Sequence, residues 1–201
     1  MAEARLAPHQ KGARRSGRAI AFVDETGSSF RARVASTWAP VGHPPTLRRR
    51  DKRREVSSIV ALVALVAPYG RRPARLYSRH REGSFTSQDI IAALRYFRGK
   101  VGRPLTIVWD GLNQHHSAET LDFVARNPED FRLERLPGYA PDLNPEEGCN
   151  GVVKAELRNA TPDSVVELRA QARASFVRLG HRHDVLAAFF LHAGLRLTGL
   201  P

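Results

Sequence analysis

The 201-residue chain contains one cysteine, Cys149, one methionine and two tryptophans. A single cysteine excludes an internal disulfide framework and any cysteine-based zinc site. Long apolar runs are missing too. The longest, Ile59 to Pro68, has ten residues, about half of what a membrane-spanning helix needs. The opening stretch MAEARLAPHQKGARRSGR lacks the apolar segment of a secretory signal. These absences imply a soluble chain in a reducing, cytoplasmic setting. Lysine is scarce, with four residues against 28 arginines, and acids are outnumbered, 20 to 32, for a net charge of +12. Neither an internal repeat nor a linker divides the chain.

A charge this positive points to a polyanionic partner, although arginine bias can also reflect a GC-rich coding sequence. Its distribution sharpens the reading. Residues 1–103 carry 22 basic and 7 acidic side chains, whereas 104–201 carry 10 and 13. One half suits phosphates; the other concentrates carboxylates that can hold cations.

Residues 1–18 read as a basic arm or linker remnant and 19–201 as one domain. The pattern predicts a buried strand over 19–27 (AIAFVDETG), a half-exposed strand over 29–37, a basic loop over 38–55, a buried sheet strand over 56–68 and an arginine-rich strand over 73–80. A helix follows over 84–100, with Thr86 or Ser87 as cap. A short strand over 103–111 closes on Asp110. Ser117 caps a helix over 117–127, with a glutamate of its first turn expected to complete a capping box. A strand over 131–137, a helix starting at Asn144 or Pro145, and helices over 165–179 and 183–195 complete the series. Opening strands followed by β-α alternation imply an α/β fold, a mixed sheet with helices on both faces.

Three acids occupy places where chemistry collects. Asp24 closes the first strand, Asp110 closes a later one, and Glu147 opens the helix after GYAPDLNP. Ligands gather at the carboxyl ends of strands in α/β sheets. If the strands beginning at Ala19 and Leu105 are neighbours, Asp24 and Asp110 share a crevice that Glu147 can reach. Converging carboxylates repel one another unless cations neutralise them, and oxygen-only ligation suits Mg²⁺ or Mn²⁺. Ordinary alternatives stand beside this: a strand-end turn former at Asp24, an Asp-Gly turn at Asp110, and a capping-box acid at Glu147.

FVDETG, the W-A-P-x-G-x-x-P stretch at 38–45, IVWDGLNQHHS at 107–117 and LPGYAPDLNPEEGCNGVVK at 136–154 occur in an order and spacing that resemble the catalytic domain of IS-630 family insertion-sequence transposases of bacteria, relatives of the mariner transposases. The resemblance runs from about Ala19 to about Leu195. It implies an RNase H-like fold and a metal triad falling on Asp24, Asp110 and Glu147, with two Mg²⁺ or Mn²⁺ ions. Glu146 occupies a position that is usually apolar in the family. His115 matches a histidine common in the second motif and, with Asn113, is expected to support the site. Gly111 stands where the family usually has asparagine, and GCNG (148–151) where it often has an aromatic; two glycines early in a helix each cost roughly 1 kcal/mol relative to alanine.

The implied activity is DNA transposition: cleavage at the element's ends by water, then attack of the freed 3′ hydroxyl on target DNA. The implied partners are transposon ends, target DNA and a second copy of the chain on DNA, at the bacterial nucleoid. Family members generally carry N-terminal helix-turn-helix modules. Only 23 residues precede Asp24, so a separate polypeptide from an upstream frame is one expected source of end recognition. Arg48, Arg49, Arg50, Lys52, Arg53 and Arg54 are expected phosphate contacts. Trp38, Pro40 and Gly42 read equally as a DNA-contacting hairpin or a packed surface turn. The alternatives to a transposase are a general RNase H-like nuclease and a non-catalytic DNA-binding relic.

Overall fold

β1 (Ala19–Ser29) forms the spine of the molecule, because its alternate side chains enter two different cores. The computed structural model describes residues 17–30, 34–48, 55–64, 74–109, 117–137 and 141–195. Among them, β2 (Glu55–Ala64), β3 (Ala74–Glu82), β4 (Leu105–Trp109) and β5 (Phe131–Arg135) join β1 in one sheet of order β3-β2-β1-β4-β5. The pairs β1–β2 and β2–β3 are antiparallel; β1–β4 and β4–β5 are parallel. This is the mixed α/β sheet of an RNase H-like fold, with helices on both faces.

One face carries α1 (Ser87–Val101) and α2 (Ala118–Arg126). Ile90, Ile91, Leu94 and Phe97 recur at helical spacing and bury against Ala21, Val23, Ile59 and Ile107. Each such side chain contributes about 1.5–3 kcal/mol on burial. Thr86 caps α1 in a full capping box with Asp89, and Gly102 ends the helix in a left-handed conformation at φ 71°. Ser117 caps α2, but the third helical position is Thr120, whose N–H donates to the Ser117 hydroxyl. Glu119 therefore does not complete the expected box; it takes a hydrogen bond from Gln88 of α1 instead.

The other face carries α3 (Glu146–Glu156), α4 (Val165–Gly180) and α5 (His183–His192). Ile20, Phe22, Val60 and Leu62 meet Val153, Phe176, Leu186 and Phe190 there. Phe22 and Phe190 stack edge to face at 5.8 Å.

Among the described residues of 29–37, the expected strand is not seen. Ser29 ends β1, and residues 34–40 have no regular structure, with Val34 72% exposed. The Asn159 side chain satisfies that backbone in place of a ladder: its carbonyl accepts from Ala35 N–H at 2.9 Å and its amide donates to Ala35 C=O at 3.0 Å. The loop expected over 38–55 holds for residues 38–48, where Trp38 is fully exposed and not packed. Of the expected N-terminal arm, only Gly17 and Arg18 are described. Arg18 donates to the carbonyls of Pro128 and Glu129 beside the sheet.

The two glycines early in α3 have opposite settings. A Cβ on Gly148 would fall 2.5 Å from the Phe189 ring of α5, whereas one on Gly151 would meet nothing within 4 Å. Gly148 is therefore what allows α5 to close on α3, and Gly151 is a plain helix weakness. Gly151→Ala is expected to stabilise the fold by up to about 1 kcal/mol, and Gly148→Ala to destabilise it by about 1–3 kcal/mol. Urea unfolding of both variants checks this; equal effects would contradict the packing described.

Candidate active site

Asp24 does not close β1 as the sequence pattern predicts: it is the sixth of the strand's eleven residues, still paired with Val60 of β2, and lies just past the described pairing with β4, on the face covered by α3. Strand alternation fixes the direction: Ile20 and Phe22 point into that core, so Asp24 does as well. Asp24 is 6% exposed. One carboxylate oxygen accepts from the Glu25 N–H at 2.8 Å; the other accepts from the Asn150 amide at 3.3 Å. The same amide nitrogen donates to Glu146 at 2.6 Å. Glu146 and Asn150 stand four residues apart on α3, one turn along the same helical face.

α3 starts here because Asn144-Pro145 shapes its entry. A short 3₁₀ turn, Pro141–Leu143, precedes it. The Asn144 side chain accepts from the Glu146 N–H at 3.1 Å, and its backbone carbonyl from the Glu147 N–H at 3.2 Å. Proline has no N–H to leave unsatisfied at such a start. Two acids in the first turn match the positive end of the helix dipole.

The adjacent acids diverge sharply. Glu146 is fully buried, while Glu147 is exposed. Burial, then the neighbouring Asp24 charge and a hydrogen bond with Asp24, hold the Glu146 carboxyl well above its usual range; Glu147 adds to this and Lys154 opposes it. As an ionised carboxylate, Glu146 would leave Oε1 buried without a donor. As a carboxylic acid, it donates to Asp24. Cys149, next on the helix, is buried and its thiol is pushed up by burial and by Glu146, so it is an unreactive thiol.

Of the expected site residues, the structure brings Asp24 to the helix that carries Glu147. Asp110, Asn113 and His115 lie outside the described residues, as do Arg49, Arg50, Lys52, Arg53 and Arg54 of the basic run. Arg48 is exposed in the loop. Among the described residues, no three His, Cys, Asp or Glu side chains cluster closely enough to hold a metal ion. The sequence reading missed Glu146 and Asn150. The signal was present in the E-x-x-x-N spacing at the start of a helix, which puts both on one face.

Asn150→Ala is expected to lower stability by about 1–3 kcal/mol, because it strips a buried acid pair of its shared donor. Glu146→Gln keeps the shape and removes a carboxyl whose charge is opposed by burial and by Asp24, so it is expected to hold or raise stability. Urea unfolding at pH 7.5 in EDTA checks both; a neutral Asn150→Ala would contradict the bridging role.

The comparisons agree with this architecture. The family model described as DDE superfamily endonuclease matches residues 19–169. No curated protein matches the sequence. Among solved structures, the Mos1 mariner paired-end complex with Mg superposes with a TM-score of 0.62 at 13% identity, covering 96% of this chain and 59% of that one. The Mos1 mariner transposase catalytic domain alone gives 0.51 at 13% identity, covering 97% and 93%. A simian T-cell lymphotropic virus intasome gives 0.51 at 16% identity, covering 90% and 56%. The chain thus spans about 59% of the length of the paired-end Mos1 chain and nearly all of the catalytic domain. Three quarters of the sequence falls within the matched family model and the fold is that of mariner catalytic domains: the chain belongs to the DDE superfamily endonucleases.

Proposed function

We propose that this chain is the catalytic domain of an IS-630-type DNA transposase, a phosphoryl-transfer enzyme acting on the ends of a mobile element and on target DNA. The observation that carries the reading is the convergence of β1 and α3. Asp24 projects from the middle of β1 on the same face that receives the first turn of α3, and that turn presents Glu147 to solvent.

The pairing of β1 with β4 supports Asp110 as the second acid. Their described register ends at Phe22↔Val108. Val108 faces the same core as Phe22, and Asp110 directly follows β4 in the sequence.

The donor set fits hard divalent cations. It is all carboxylate, and its buried part carries an acid whose charge burial opposes. Asp24, Asp110 and Glu147 would hold Mg²⁺ or Mn²⁺. Such ions would supply a nucleophilic water at neutral pH and offset charge on the leaving oxygen. Glu147 suits a ligand because DNA and water reach an exposed carboxylate. Glu146 sits behind Asp24, where it and Asn150 fix the Asp24 carboxylate in direction. A second assignment exchanges the two glutamates; the contact between Glu146 and Asp24 favours it. The basic run Arg48–Arg54 contacts DNA phosphates, with His115 and Asn113 beside the scissile bond. The chain works as a pair on DNA at the bacterial nucleoid, within 19–201 as one domain, with end recognition supplied by a module or a partner polypeptide.

Incubation of the protein with labelled element ends and Mg²⁺ or Mn²⁺ tests the reading. Strand transfer into a second DNA is expected; nicking without transfer indicates a nuclease, and a gel shift without cleavage a relic. Asp110→Asn is expected to abolish cleavage by at least about 10²-fold, a scale typical of losing a preorganised catalytic group, while DNA affinity stays equal or rises. Glu147→Gln is expected to lose cleavage and Glu146→Gln to retain most of it. The reverse pattern would transfer the ligand role to Glu146.

A further inference from the structure

We propose a second DNA-binding site, separate from the carboxylates: the groove between edge strand β3 and helix α4 holds the sugar-phosphate backbone of a DNA strand. The inference rests on the reading of this chain as a DNA-acting enzyme.

The groove encloses about 820 Å³ and is lined from three elements. β3 contributes Arg79 and His80, α4 contributes Arg169 and Arg173, and α1 contributes Tyr96. Among the described residues, no Asp or Glu lines it, although the chain carries 20 acids. A groove with only positive ionisable groups raises the local concentration of a polyanion. Arg169 and Arg173 stand four residues apart on the exposed side of α4, one helical turn, so both reach the same wall.

Arg79 is held in place by an aromatic ring rather than by an acid. The Arg79 guanidinium lies 5.2 Å from the Tyr96 ring centroid, and Lys100 flanks the same ring at 5.7 Å. A cation over a ring face keeps its full charge and its outward N–H donors. His80 forms the inner wall. It is hydrogen-bonded to Ser58 and Ser78 at 2.8 and 3.0 Å and packs on Phe176 at 5.6 Å. Burial, then Arg173 and Arg169, hold its pKa down to about 4, so it stays neutral and the arginines carry the charge.

Arginines on an edge strand also discourage edge-to-edge pairing. That purpose accounts for Arg79 but not for the two arginines that α4 turns toward the same groove. The groove shares no residue with the Asp24 cluster, yet Asp24, Val60 and Ser78 lie in one cross-sheet row. Two strand spacings, about 10 Å, separate the two backbones, so one DNA molecule can contact both places.

The test measures binding in EDTA, so it does not depend on cleavage. Affinity for a 20-bp duplex and for a 20-nucleotide single strand is followed against salt. Arg169→Gln/Arg173→Gln is expected to reduce the slope of log K against log salt by roughly 1.8 on duplex or roughly 1.4 on single strand, two contacts' worth. Arg169→Lys/Arg173→Lys is expected to restore most of it. A loss on either DNA supports the groove and tells which form it holds. An unchanged slope on both, or a loss that lysine does not restore, overturns it. Phenylglyoxal labelling of the unaltered protein gives an independent reading. DNA is expected to protect Arg79, Arg169 and Arg173, and equal labelling with and without DNA overturns the proposal. If the groove binds but the protein never cleaves element ends, the enzymatic reading fails and the groove stands. If the protein cleaves and the salt slope is unchanged, the enzymatic reading stands and the groove fails.

Discussion

Two carboxyl groups, Asp24 and Glu146, are buried against each other with one amide nitrogen, that of Asn150, serving both. Desolvating an ionised acid is costly, and two in contact are costlier still. The fold meets this with a Glu146 carboxyl held well above its usual range by burial and by Asp24, the Glu25 and Asn150 donors, and the start of a helix. Those same contacts tie the sheet's spine to α3. Once α3 is fixed, Gly148 admits Phe189 of α5, and Phe190 reaches Phe22 of β1. An apolar pair at these positions would pack with less penalty, but it would remove the acid that the proposed function assigns to β1.

The charge distribution divides the molecule by task. Carboxylates gather where β1 meets α3. Arginines gather along the open edge at β3 and on the outer side of α4. The segregation keeps the positive surface from collapsing onto the acids. Ion pairs seen elsewhere, such as Arg98–Asp130 at 2.7 Å and Arg178–Glu156 at 2.5 Å, lie on exposed helix and turn surfaces and contribute little.

Much of the fold was legible in the sequence because period and caps agreed. Ile90, Ile91, Leu94 and Phe97 mark α1 by spacing, and the β-branched run after Glu55 marks a doubly buried strand. Residues 29–37 misled because alternation describes side chains and not backbone partners; the partner of Ala35 is a side chain 124 residues away. At the site, Asp24 was legible as the acid that follows a buried apolar run, although β1 continues five residues beyond it. Glu146 was not. The N-P-E-E stretch does not tell which acid turns inward, since one residue shifts a helical side chain by about 100°. Only the direction of α3 across the sheet decides it. Gly148 was read as a weakness for the same reason: its value lies in a neighbour from another helix.

The proposed function requires that the acids at the β1–α3 junction form a divalent-cation site. Titration of the purified protein with Mn²⁺, followed by electron paramagnetic resonance of the free ion, tests it most directly. Saturable binding of about two ions per chain, lost in Asp24→Asn with the fold intact, is the predicted result. Binding that never saturates, or that is the same in Asp24→Asn, would contradict it.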